Sequence, residues 1–182
     1  MEYIKSRRTI RQYEKDYSIP SERLNEIVQV ALSCPTGRNC QAIDLIVLTN
    51  RTKIDEATKI TFDSWPEEKR NNWLKRKDQY GVSNVVSCDA PCIIFMVENE
   101  RSEKQFTQID SGIMSMAIMV SAKEMGLDTM CLGALLWGNK VGLETYLGIP
   151  EGKLVMAIAV GKAKPNPIVA DKEIKAKATF IE

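Results

Sequence analysis

An α+β fold is the class this sequence predicts, and three observations carry the prediction. Residues 45–49, 92–97, 129–132 and 154–160 are short apolar runs rich in β-branched side chains, with the length and composition of strands. Other segments, beginning at Ser21 and Ser102, repeat their apolar residues at helical spacing. The chain length of 182 residues suits one domain with its own core, expected to span residues 1–182.

From Ser21, the residues Leu24, Ile27, Val28, Ala31 and Leu32 form the stripe of an amphipathic helix that Pro20 helps to start and Pro35 stops. A strand over 45–49 follows, with a polar break at 50–53. Residues 51–90 are charged, with Trp65, Trp73 and Tyr80 set among Lys, Arg, Glu and Asn, and predict one or two surface helices and an irregular loop around Gly81. The run 92–97 is a buried strand with Pro91 at its leading edge, where a missing N–H is tolerated.

Over 102–125 the spacing predicts a long helix in which Ile109, Ile113, Met116, Ala117 and Val120 form one stripe. Met114, Ile118 and Met119 extend its apolar surface most of the way round, which predicts burial on several sides, and Gly126 caps it. A third strand over 129–132, a short helix over 141–147 closed by Gly148 and Pro150, and a fourth strand over 154–160 complete the pattern. Residues 162–182 carry Pro165, Pro167 and several lysines and are too poor in apolar residues to pack alone.

Composition removes several classes of function. There is no histidine, so no Ser-His-Asp or Cys-His mechanism is available, and acid–base chemistry falls to carboxylates, lysines or a cofactor. The five cysteines, Cys34, Cys40, Cys88, Cys92 and Cys131, match neither a zinc-ribbon pair nor a Cys-x-x-Cys motif, so neither a disulfide framework nor a metal site is expected. No apolar run approaches the ~20 residues that span a bilayer, and Met1-Glu2-Tyr3-Ile4-Lys5 lacks the apolar core of a secretory signal. The expected setting is the cytoplasm, with no membrane partner.

Against a net charge of only +1, the sequence Arg7-Arg8-Thr9-Ile10-Arg11 concentrates three guanidiniums and a hydroxyl. Guanidiniums make bidentate, charge-assisted bonds to phosphate oxygens, so the cluster suits a phosphate monoester, although short basic runs near an N-terminus are also common as solvated surface. Three further features follow in order: Cys34-Pro35-Thr36-Gly37-Arg38-Asn39-Cys40-Gln41, then Gly126-Leu127-Asp128 leading to Leu132-Gly133-Ala134, then the lysine-bearing tail. Together these resemble the nitroreductase family of FMN-dependent oxidoreductases. That family opens with Arg-Arg-Ser-x-Arg, continues Ala-Pro-Ser-x-x-Asn-x-Gln-Pro-Trp, shows a buried helix ending Gly-Leu-Gly, and finishes with a basic tail. Two departures stand out: Gln41 is followed by Ala42-Ile43 in place of Pro-Trp, and Thr36-Gly37-Arg38 replaces Ser-x-x.

The resemblance implies a central, mostly antiparallel sheet flanked by helices, with residues 162–182 as an arm embracing a partner in a homodimer that holds FMN at its interface. It implies that Arg7, Arg8 and Thr9 approach the FMN phosphate and ribityl chain, with Lys175 and Lys177 as further phosphate partners. Arg11 falls near N1 and O2 of the flavin, where negative charge gathers on reduction and a fixed cation raises the potential. Thr36, Arg38, Asn39 and Gln41 fall at the cofactor, Asn39 and Gln41 suiting the pyrimidine edge and ribityl hydroxyls, and Arg38 reaching the partner's site. Leu132, Gly133 and Ala134 bring small residues and backbone N–H groups towards N5 and O4.

The activity so implied is transfer of reducing equivalents from NADH or NADPH through flavin N5 to a small organic acceptor, nitroaromatic or quinone-like. A shared site makes the turnover ping-pong, and no side chain is expected to act as an acid–base catalyst. No Gly-x-Gly-x-x-Gly follows a strand, so no separate dinucleotide domain is expected. Two rival readings stay open at this level: an FMN-binding or redox-sensing protein without dedicated turnover, and an interaction module whose arginines bind nucleic acid or a phosphoprotein. Near-neutral charge without a basic, aromatic-studded stripe argues against nucleic acid as a partner.

Overall fold

In the computed structural model, which describes residues 1–181, the sheet has four antiparallel strands in the order β1-β2-β4-β3. They are β1 (Ile43–Leu48), β2 (Cys92–Glu98), β3 (Asp128–Cys131) and β4 (Leu154–Gly161). Seven helices surround them: α1 (Glu2–Ser6), α2 (Ser21–Leu32), α3 (Arg51–Asp63), α4 (Glu67–Leu74), α5 (Arg76–Tyr80), α6 (Lys104–Glu124) and α7 (Lys140–Leu147). Short 3-10 turns occupy Gly37–Asn39 and Gly133–Leu136.

Both faces of the sheet are covered, which explains why β2 reads as an unbroken apolar run rather than an alternating one. Cys92, Ile94 and Met96 pack with Leu24, Ile27 and Ala31 of α2 and with Met114, Ile118 and Ala122 of α6. Ile93, Phe95 and Val97 pack on the opposite face with Ile54 and Ala57 of α3, Leu143 of α7 and the buried segment around Val85 and Val86. Each such side chain removed from water contributes about 1.5–3 kcal/mol.

Helix α6 corrects one expectation. Its buried residues include Thr107, Asp110, Ser111, Ser115 and Ser121, while Ile109, Ile113 and Met116 of the predicted stripe are exposed. Serine can enter a core when its hydroxyl bonds back to the helix, as Ser121 does to the carbonyl of Ala117 (2.8 Å) and Ser111 to that of Gln108 (2.9 Å). Within one chain the helix is therefore buried along a small, partly polar face, and much of its apolar stripe faces outward.

Residues 51–90 hold three helices, and α3 is more than a surface element, since Ile54, Ala57, Thr58 and Thr61 are buried. The polar stretch read as a break at 50–53 is its N-cap: the Asn50 side chain accepts the Lys53 N–H at 3.1 Å. Helix α7 supplies the other long-range polar anchor. The Glu144 carboxylate, 1% exposed, accepts the N–H groups of Leu154 (2.8 Å) and Gly152 (2.9 Å) and lies 3.6 Å from Lys140 Nζ.

The tail leaves the sheet beside the N-terminal segment. Gln12 takes the Lys164 N–H on its main-chain oxygen (2.9 Å) and the Ile168 N–H on its side-chain oxygen (2.7 Å). Beyond that point residues 169–181 are exposed, including Ile174, Phe180 and Ile181. Among the described residues no helix is long and apolar enough to cross a membrane.

Burial pushes the Cys88 thiol up to about 11 and the Cys92 thiol up to about 12, from an ordinary value of 9.0. Burial also holds the Tyr13 phenol well above its usual range. The unfolded chain gives these protons up first, so the stability they confer is complete below about pH 9 and is lost as pH rises through the raised values. The expected result is a urea midpoint that falls as pH rises from about 9 towards about 11, and falls less steeply in a Cys88→Ala/Cys92→Ala variant.

Candidate functional site

Two of the predicted segments meet at the free edge of β3. Thr9 pairs with Thr129 in parallel register, and the Ile10 N–H donates to the Thr129 carbonyl at 3.1 Å. Ile10 is buried and anchors the strip, leaving Arg7, Arg8, Thr9 and Arg11 half-buried along it. Strand β3 then runs into Leu132, whose N–H donates to the Ala157 carbonyl (2.8 Å), and into the Gly133–Leu136 turn. Leu132 and Ala134 are buried, whereas a side chain at Gly133 would meet nothing within 4 Å. An open space thus lies in front of Gly133, just past the end of the strand that pairs with the arginine segment.

The electrostatics of this edge are uncompensated. Among the described residues none of Arg7, Arg8 and Arg11 pairs with a carboxylate. Arg8 donates only to main-chain oxygens, of Lys5 (2.8 Å) and Arg7 (3.0 Å). Burial raises the Cys131 thiol, and the nearby charge of Arg7 opposes the shift. The Thr129 hydroxyl, paired strand to strand with Thr9, is buried without a partner.

The 36–41 loop is built elsewhere and under strain. Arg38, Asn39 and Gln41 have φ of 52°, 55° and 50°, a left-handed region that non-glycine residues seldom occupy. Several bonds hold them there. Thr36 Oγ1 accepts the Gln41 N–H (3.0 Å), Asp110 Oδ1 accepts the Gly37 N–H (3.0 Å), and Asn99 Nδ2 and Arg101 Nη2 donate to the Gln41 carbonyl at 3.1 and 2.9 Å. Gly37 is required because a Cβ would run into the Phe106 ring. The Asn39 and Gln41 side chains stand exposed, joined to each other at 3.3 Å, and Arg38 is drawn to Glu103 at 3.2 Å.

Among the described residues no hydrogen bond, ion pair or strand bridge joins this loop to residues 7–11 or 132–134. Lys175 and Lys177 also stand apart from the arginines, on the exposed tail, with Lys175 against Glu173 at 3.3 Å. One chain therefore joins the segment of Arg7, Arg8, Thr9 and Arg11 to β3, the strand that runs on into Leu132, Gly133 and Ala134, and, among the described residues, leaves Thr36, Arg38, Asn39, Gln41, Lys175 and Lys177 without a bond or bridge to either stretch.

A further group next to Arg11 has no counterpart in the sequence reading. The Arg11 guanidinium lies 5.9 Å from the centre of the Tyr80 ring, and Gln12 Nε2 donates to the Tyr80 carbonyl at 3.0 Å, fastening α5 to the arginine strip. Arg76, one turn earlier on α5, stacks 3.5 Å from the Trp73 ring. Trp65, Trp73 and Trp137 cluster with centroids 4.8–6.4 Å apart, and Lys69 Nζ sits 4.5 Å from Trp65 and 4.0 Å from Trp137. The i,i+4 spacings of Lys69 with Trp73 and of Arg76 with Tyr80 are the sequence signals that could have exposed the group, and they needed the helix boundaries to be seen.

Comparison with known proteins finds the same fold. The NADPH-flavin oxidoreductase of Vibrio harveyi is 22% identical over 183 residues, covering 93% of this chain and 68% of that protein. A nitroreductase crystal structure with bound FMN from Bacteroides fragilis superposes with a TM-score of 0.81 at 20% identity, covering 100% of this chain and 97% of that one. A second FMN-bound nitroreductase, from Desulfitobacterium hafniense, gives the same score at 22% identity and the same coverage. The profile of the Nitroreductase family matches residues 4–162, from α1 through the last strand, and so takes in the arginine strip, the strained loop and the Gly133 turn together. This chain belongs to the nitroreductase family.

Proposed function

We propose that this protein is an FMN-dependent oxidoreductase that takes reducing equivalents from NADH or NADPH and delivers them, by ping-pong turnover in one shared site, to a small nitroaromatic or quinone-like acceptor. The observation that carries the reading is the strip of guanidiniums without carboxylate partners, among the described residues, paired to the strand that leads into the open space at Gly133. Those residues fit the cofactor on chemical grounds. A dianionic phosphate needs several fixed cationic donors, a planar ring needs a wall without side-chain bulk, and the orphaned Thr129 hydroxyl beside Thr9 has hydrogen-bonding capacity in reserve.

When bound, FMN supplies hydride and electron transfer at N5. Arg7 and Arg8 hold the phosphate, Thr9 the ribityl chain, and Arg11 the pyrimidine end, where its charge balances the negative charge gained on reduction. Gly133 and Ala134, beside Leu132, would hold the flavin ring through their backbone N–H groups. No side chain of this chain needs to move a proton for that role, in keeping with the absence of histidine.

The same reading makes the working form a homodimer of single-domain subunits, residues 1–182, with two sites at the interface. Thr36, Arg38, Asn39 and Gln41 then serve the cofactor bound by the other copy, which accounts for a preorganised loop that touches no arginine of its own strip. Residues 162–182 act as an arm that carries Lys175 and Lys177 to the phosphate. The exposed α6 stripe supports this, with Ile109 60% and Ile113 and Met116 each 38% exposed, as do the apolar side chains spread along the tail.

The deciding experiment is an absorption spectrum of the purified protein followed by steady-state kinetics. The expected result is a flavin band released by heat, with parallel double-reciprocal plots when NAD(P)H and acceptor are varied. A colourless protein that takes up no added FMN sinks the reading, and a flavoprotein with negligible NAD(P)H consumption replaces it with a redox sensor.

A further inference from the structure

We propose that Lys69, Trp73, Arg76 and Trp137, with Arg11 at one end, form a shelf that binds the electron acceptor and selects planar aromatic molecules bearing a carboxylate or similar anionic substituent. The inference deepens the flavin reading above and rests on it.

Position supports it from both ends. Trp137 directly follows the Gly133–Leu136 turn, and a 3-10 turn rises about 2 Å per residue, so its backbone lies within roughly 8 Å of Gly133 along the turn. At the other end Arg76 and Tyr80 share a face of α5, and the Tyr80 ring lies beside Arg11. The shelf therefore spans from the segment assigned to N5 and O4 to the arginine assigned to N1 and O2.

Charge and shape give the class of ligand. Among the described residues Lys69, Arg76 and Arg11 have no carboxylate partner, although Glu67, Glu68 and Asp78 belong to the same two helices. Of the five N–H donors of Arg76, one is used, in a long 3.4 Å bond to the Val85 carbonyl. Trp137 is 49% exposed on a fixed stretch of backbone: its carbonyl accepts Trp65 Nε1–H at 3.4 Å, the Asn139 N–H is held by Ser64 Oγ at 2.7 Å, and Gly138 between them has φ of 73° and no room for a side chain. An indole half in solvent on a fixed backbone, with Lys69 over its own ring and Arg76 over that of Trp73, offers a stacking face and an anion contact at once.

A simpler role, in which the cations merely shield the indoles from water, predicts no discrimination by ligand charge. The test compares the holoenzyme's kcat/KM for 4-nitrobenzoate with that for 4-nitrobenzamide, rings alike except in charge. The proposal expects the benzoate to be favoured by about tenfold at low salt, a preference that shrinks as salt is raised. In a Lys69→Gln/Arg76→Gln variant the benzoate-to-benzamide ratio falls about tenfold, the change lying in KM rather than kcat, while Arg76→Lys keeps most of it.

Equilibrium quenching of tryptophan fluorescence by 4-nitrobenzoate gives a readout that needs no turnover, and saturable binding that weakens with salt and with the double variant supports the shelf. Equal kcat/KM for the two rings, or a ratio unmoved by the double variant, overturns the proposal while leaving the flavin reading intact. Failure of every acceptor in a protein that binds no FMN sinks the flavin reading instead, and the quenching titration then decides the shelf separately.

Discussion

Replacing Arg7 and Arg8 together with alanine yields a protein that folds but purifies without flavin. The phosphate is near −2 at neutral pH, and each charge-assisted hydrogen bond to it is worth roughly 1.5–3 kcal/mol, so losing both guanidiniums costs about 3–6 kcal/mol of binding. That corresponds to a loss of roughly a hundredfold to ten-thousandfold in FMN affinity. Folding survives because the strip is held by other atoms: the Thr9–Thr129 pairing, the Ile10 N–H bond and the buried Ile10 side chain are untouched. Fluorescence titration of apoprotein with FMN measures the affinity, and circular dichroism checks the fold. A double variant that binds FMN within tenfold of the parent ends the phosphate role of this pair.

Glu144→Ala carries the largest expected stability effect. The carboxylate is almost wholly buried and caps the N–H groups of Gly152 and Leu154, where the chain turns from α7 into the central strand β4. Removing it leaves two donors without an acceptor, each costing about 1–3 kcal/mol, and leaves Lys140 without its partner. A loss of roughly 4 kcal/mol follows, read as a lower urea midpoint with an unchanged slope. Glu144→Gln keeps one acceptor oxygen and recovers part of the loss. A change below about 1 kcal/mol for alanine shows that the turn is held by something else.

What was legible in the sequence and what was not divide along physical lines. The strands were visible because β2 and β4 are covered on both faces, so that their residues cannot be polar on either side. The face of α6 was misjudged because hydropathy ranks serine as outward, whereas Ser111 and Ser121 satisfy their hydroxyls on their own helix and go inward. Helix α3 lost its first turn to a supposed break because Asn50 reads as a loop residue until its side chain is seen to cap Lys53.

The arginine strip was legible as chemistry, since cations crowded into a nearly neutral chain need an explanation. Its partners required the fold, because only the pairing of Thr9 with Thr129 sets the arginines along β3, the strand that leads into Gly133. The shelf of Lys69, Trp73, Arg76 and Trp137 was not legible as a site, because its members come from two helices and a distant turn, although Trp73 stood out among its charged neighbours.

Gln12 fastens the tail at Ile168, and that knot turns the remainder into a leash of fixed length. Lys175 stands seven residues further on, and an extended chain advances at most about 3.6 Å per residue, so its backbone can travel no more than about 25 Å from the knot. Any destination for this ammonium group must therefore lie within that radius extended by one lysine side chain. Shortening the tether by a few residues would disarm the tail without touching a charge.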